Sequence, residues 1–169
     1  SLVFHTYQGQ YPVISVSLKS MKQGIFEEAF DVFKDIIRAE ILRHKSILLN
    51  NPSIEKTDLE KLTRFVELKA DKSDYNTSIG FISTLLASAY NKKVIILIDE
   101  YDVPLENAFH QGFYNDMVNL IRSVFESALK TNSSLDRAFL TGCLRVSRES
   151  IFTGLNNLDI FTIISPMFT

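Results

Sequence analysis

The chain has 169 residues, 46% of them apolar and 22% charged, with a formal net charge of -2. That balance suits one domain with a sizeable core and gives no electrostatic case for non-specific nucleic-acid binding through a basic surface. Cys143 is the only cysteine, which rules out an intrachain disulfide and a cysteine-rich metal site, and no apolar run approaches the roughly 20 residues that span a bilayer. Ser1 to Gln10 holds neither a basic leader nor an apolar signal core, so the expected compartment is cytoplasmic. The missing initiator Met marks the chain as an expected piece of something longer.

Tyr11 to Leu18 is short and rich in β-branched residues, with a turn signal at Gly9, and reads as a strand. From Gly24 the period changes. Phe26, Phe30, Phe33, Ile37, Ile41 and Leu48 recur at helical spacing and predict a helix to about Leu49, ending near Asn50-Asn51-Pro52. Thr57-Asp58-Leu59-Glu60 has the form of a capping box opening a charged helix to about Ala70. Asp71 to Asn76 is polar and reads as a linker. Ile79, Ile82, Leu85, Leu86 and Ala89 predict a further helix, which leads into the apolar run Val94–Ile98. Helical periodicity returns after Pro104, clearest in Met117, Leu120, Ile121, Val124, Phe125 and Leu129. Arg137 to Leu144 reads as another short apolar strand, with its polar end at Thr141-Gly142, and Ile160 to Ile164 as a last one. Strands alternating with helices predict an α/β layered fold with a mostly parallel sheet.

Val94–Ile98 followed directly by Asp99 and Glu100 is the most informative feature. An unbroken apolar run suits a parallel strand covered on both faces, and ligands gather at the carboxyl ends of such strands. Phosphoanhydride hydrolysis needs one carboxylate to organise Mg²⁺ and a second to orient or deprotonate water. Asp99 and Glu100 leave the strand in different directions, so the pair can serve both roles. The plainer reading is an Asp that caps a helix or binds backbone amides, but two adjacent acids are more specific than one.

A phosphate site normally also carries a Gly-x-x-x-x-Gly-Lys-Ser/Thr loop. None of the six glycines is followed by Lys and Ser/Thr, so this half of the site is absent from the sequence. Thr141, at the end of its strand, would project near the γ-phosphate if the Asp99 strand were its neighbour. Arg145 or Arg148 could neutralise transition-state charge, since a guanidinium grips phosphate through two N–H groups. Local backbone hydrogen bonding for Thr141 and solvated charges for the arginines are the plainer alternatives. His5, His44 and His110 are scattered, with no second ligand at metal spacing. Cys143, on an apolar run, reads as a core thiol, and the Phe26–Phe33 stripe as packing.

Val94 to Phe109 (VIILIDEYDVPLENAF) and Phe139 to Leu158 (FLTGCLRVSRESIFTGLNNL) together resemble the predicted AAA-ATPase-like family, whose members commonly continue into a PD-(D/E)xK nuclease-like domain. Tyr11 to Ser20 is similar to the strand that follows the phosphate-loop helix there, and the resemblance spans nearly the whole chain. It implies a P-loop NTPase-like three-layer sandwich with sheet order 5-1-4-3-2, here a partial domain over 1–169 whose first strand and phosphate loop are missing. Tyr11–Leu18 becomes strand 2, Val94–Ile98 strand 3 and Arg137–Thr141 strand 4. On the same resemblance Asp99 matches the Mg²⁺-associated Walker B Asp, Glu100 the water-activating Glu, and Thr141 the strand-4 sensor, while Arg145 and Arg148 fall in the following loop without an assignable role.

The leading expectation is therefore the ATP-binding and hydrolysing domain of a larger protein, with ATP and Mg²⁺ as its ligands and little activity from these residues alone. A protein or nucleic-acid partner would be reached through the nuclease-like domain, and no membrane is involved. The competing expectation is a non-catalytic interaction scaffold derived from an ATPase. A metal-dependent phosphatase or nuclease needs acids at other strand ends, and Leu18-Lys19, Thr141-Gly142 and Ser165 supply none.

Overall fold

The computed structural model describes residues 9–143 and 151–152. Three strands, β1 (Val13–Ser17), β2 (Val94–Asp99) and β3 (Leu135–Leu140), form one parallel sheet in the order β1-β2-β3. Parallel neighbours need long crossovers. The first contains α1 (Phe26–Arg43), α2 (Lys45–Leu48), α3 (Lys56–Val66), α4 (Lys72–Asn76) and α5 (Ser78–Tyr90). The second contains α6 (Val103–Gln111), α7 (Tyr114–Phe125) and a π-helical turn, Glu126–Lys130. The chain is thus α/β with a small all-parallel sheet, and its strand order is compatible with the adjacency expected for strands 2, 3 and 4.

Two expectations fail locally. Helix α3 starts at Lys56, with Glu55 as its N-cap and no side-chain cap hydrogen bond, so Thr57 lies inside the first turn and no capping box forms. Its start follows the docking of Leu62 and Phe65, both fully buried. The predicted linker from Asp71 also contains the short helix α4. There Tyr75 is fully buried, its ring 5.0 Å from Phe65 and 5.6 Å from Phe30 in edge-to-face contacts. The strand expected at Ile160–Ile164 lies outside the described residues.

Alternation sorts the sheet into two unlike faces. Ile14, Val16, Leu18, Val94, Ile96 and Ile98 point into the core, where α1 packs on β1 and α5 on β2. On the other face Ser15, Ser17, Leu97, Asp99 and Phe139 are exposed. Among the described residues Val94–Ile98 therefore has cover on one face, and these residues form two layers. No described helix is long and apolar enough to cross a membrane.

The outer edge of β1 is sealed by the end of α1. The Ser15 N–H donates to Glu40 Oε1 at 2.9 Å, and Arg43 donates to both Glu40 oxygens and to the Val13 carbonyl. His44 Nε2 adds a 3.0 Å contact to the Val13 carbonyl. These partners occupy backbone groups that would otherwise template another strand. Burial alone would raise the Glu40 carboxyl, but hydrogen bonds from His44, Arg43 and the Ser15 amide outweigh it and hold the group below its usual range. A depressed carboxylate stabilises the fold at pH above the unfolded value, and that stability is lost as pH falls through the folded one. Glu40→Ala should accordingly cost about 2 kcal/mol at neutral pH. In urea titrations its deficit should shrink below the ordinary Glu value of 4.5, and a pH-independent deficit would contradict the arrangement.

Candidate functional site

The carboxyl ends of the three strands gather the polar residues singled out above. β2 ends at Asp99, and Glu100 follows with φ +53°, a left-handed conformation unusual for a residue with a side chain. This costs on the order of 1 kcal/mol and breaks the strand's alternation, turning the chain away toward α6. The Asp99 side chain stays on the open face, and Glu100 leaves in its own direction.

Register decides what meets Asp99. An irregularity between the pairs Val94↔Leu135 and Ile95↔Arg137 admits one extra residue, Asp136, into β3. Beyond it Leu97 faces Phe139, and the ladder runs past the strands through Thr141 N–H to the Ile98 carbonyl at 2.9 Å. The Tyr101 N–H returns to the Thr141 carbonyl at 3.1 Å. Thr141 is thereby placed on the face of Asp99, and its hydroxyl donates to Asp99 Oδ1. A slip of one residue would send Thr141 to the opposite face.

From β1, the Leu18 N–H donates to the Asp99 carbonyl at 2.9 Å, which brings Lys19 alongside. Lys19 Nζ lies 3.9 Å from Glu100 Oε1 across a solvent-exposed gap. An exposed pair of that length contributes little to stability. Its effect is local, a cation beside the second carboxylate.

Sequence reasoning missed two residues here, Lys19 and Asp102. Asp102 is 2% exposed although it stands beside an open site, and its Oδ2 accepts the Cys143 N–H at 2.7 Å. Gly142 fits only because it has no side chain, since a Cβ there would lie 2.8 Å from Asp102 Oδ1 and 2.9 Å from the Tyr101 ring. The Tyr101 phenol is pushed up, first by burial and then by the Asp102 charge. Cys143 is exposed and not a core thiol. β3 ends at Leu140, so the apolar run predicted through Leu144 stops short of it. Arg145 and Arg148 lie outside the described residues.

Asp99 and Thr141 offer oxygen donors, the type Mg²⁺ takes, but no cluster of three or more His, Cys, Asp or Glu suited to a metal occurs among the described residues. Two oxygens fit an ion held mainly by water and phosphate and do not make an all-protein cage. The profile of the family described as predicted AAA-ATPase, AAA-ATPase_like, matches residues 4–152. The chain belongs to this family. A similar protein of Azotobacter chroococcum mcd 1, described as an uncharacterized protein in the vnfD 5' region, is 32% identical over 73 residues. That stretch is 43% of this AAA-ATPase-like chain and 14% of the Azotobacter protein, so the chain spans a small part of its relative. No solved structure matches the chain.

Proposed function

We propose that this AAA-ATPase-like chain contributes the acidic, water-activating half of an ATP-hydrolysing site in a larger protein. The observation that carries the reading is the contact of Asp99 with Thr141 at adjacent parallel strand ends, with Glu100 beside it. Asp99 corresponds to a Walker B metal-associated carboxylate. Mg²⁺ bound there with ATP would spread the negative charge of the phosphates. Thr141 spends its hydroxyl proton on Asp99, so its oxygen lone pairs remain available to orient water. Glu100 accepts the proton of that water as its oxygen bonds to the γ-phosphorus and the bond to the leaving ADP oxygen breaks. Lys19 places a cation beside this base. The phosphate cradle comes from backbone outside this sequence, since no Gly-x-x-x-x-Gly-Lys-Ser/Thr occurs within it.

Thr141→Val in the full-length protein tests the role of the hydroxyl. Turnover of Mg-ATP should fall about tenfold, as expected when one positioned hydrogen bond of about 1.4 kcal/mol is lost. Turnover equal to the unsubstituted protein, with unchanged melting temperature, would remove Thr141 from the site.

A further inference from the structure

We propose that Asp102 is a positioning residue that sets Thr141 against Asp99, tying the start of α6 to the loop that follows β3. The proposal rests on the reading of Asp99, Glu100 and Thr141 given above. Asp102 is the buried member of an otherwise open cluster, for Asp99, Thr141, Gly142 and Cys143 are all exposed. A buried carboxylate is costly unless N–H donors compensate it. The ordinary duty of an Asp at this place is to cap the helix behind it, yet its side chain makes no capping hydrogen bond to α6. Its Oδ2 accepts the Cys143 amide proton, 41 positions along the chain.

The backbone of Asp102 is fixed independently. Its carbonyl accepts the Leu105 N–H at 3.1 Å and the Glu106 N–H at 2.9 Å, and Leu105 is buried in the core. The carboxylate therefore reaches from a rigid helix start to a loop that has left its strand. With the Ile98–Thr141 and Thr141–Tyr101 backbone bonds it makes a third rung beyond the end of the sheet, on the far side of Thr141. Gly142 leaves the room that Asp102 and Tyr101 occupy, since a Cβ there would come within 3 Å of both. Thr141 is thus held from both sides, by β2 before it and by Asp102 after it. An acceptor of this shape is what the rung requires, so an amide can replace the carboxylate and a methyl cannot.

The test is a double-substitution cycle in the full-length protein, with kcat and KM for Mg-ATP and melting temperature measured for Thr141→Val, Asp102→Ala, Asp102→Asn and Asp102→Ala/Thr141→Val. Asp102→Ala should lower kcat about tenfold or more with a smaller effect on KM, because slight misplacement of a reacting group is enough to do so. Asp102→Asn should recover most of the loss, and it serves as the folded control if the Ala variant is unstable. The double variant should be no slower than Asp102→Ala alone, since both changes remove the same placed hydroxyl. Losses that multiply, or no recovery with Asn, would overturn the positioning role while leaving the ATPase reading intact. Unchanged turnover in Glu100→Gln would instead remove the ATPase reading, and the proposal with it.

Discussion

Glu100→Gln in the full-length protein should lower ATP turnover by about 10²- to 10⁴-fold, the range expected for loss of a general base, while Mg-ATP affinity changes only a few-fold. The amide keeps the size and hydrogen-bonding shape of the carboxylate but cannot take a proton from water. Glu100 occupies a left-handed backbone conformation at φ +53°, beside Lys19 and one residue beyond the Asp99–Thr141 contact. Gln adopts that backbone about as readily as Glu, so the fold should be untouched. Equilibrium binding of Mg-ATP and steady-state hydrolysis, measured on the same preparation, separate the two effects. Turnover within a factor of two of the unsubstituted protein would sink the assignment of Glu100 as the base.

Phe33→Ala should destabilise the chain by about 3–5 kcal/mol. Phe33 is fully buried on α1, its ring centroid 6.5 Å from both Phe30 and Tyr75. The cavity left behind borders helices α1 and α4, and α1 cannot collapse into it without leaving β1. The same helix carries Glu40 and Arg43 to the edge of β1, so part of the loss should appear as a weaker seal on that strand. Urea denaturation of the two proteins at neutral pH measures the difference. A deficit below about 1 kcal/mol would mean that this aromatic cluster packs loosely.

Much of this arrangement was legible in the residues. Strands β1 and β2 could be placed because Tyr11–Leu18 is β-branched and Val94–Ile98 is unbroken and apolar. Asp99 and Thr141 stood out because polar groups at strand ends sit where parallel sheets collect ligands. What stayed hidden depends on docking between distant segments. Nothing local distinguishes Asp102 from an ordinary helix cap, and its partner, Cys143, becomes visible only when β3 lies beside β2. Lys19 likewise reaches Glu100 only through the pairing of β1 with β2. The Thr57–Glu60 pattern misled because it is a local motif, whereas the helix start follows from where Leu62 and Phe65 are buried. Composition hid α4, since one buried Tyr75 outweighs its four polar neighbours. The apolar character of Leu97 suggested cover on both faces, yet Leu97 stands 36% exposed beside Phe139.

Asp99→Asn tests the central claim most directly, through calorimetric titration of ATP into the full-length protein with and without Mg²⁺. A carboxylate that helps hold the nucleotide's metal should make ATP binding tighter when Mg²⁺ is present. Loss of its charge should remove about ten- to hundredfold of that gain, the usual scale for a disturbed metal site. ATP affinity in the absence of Mg²⁺ should be nearly the same in both proteins. An identical Mg²⁺-dependent gain in the Asn variant would contradict the account, and Asp99 would then be a strand-end carboxylate that does no more than accept the Thr141 hydroxyl.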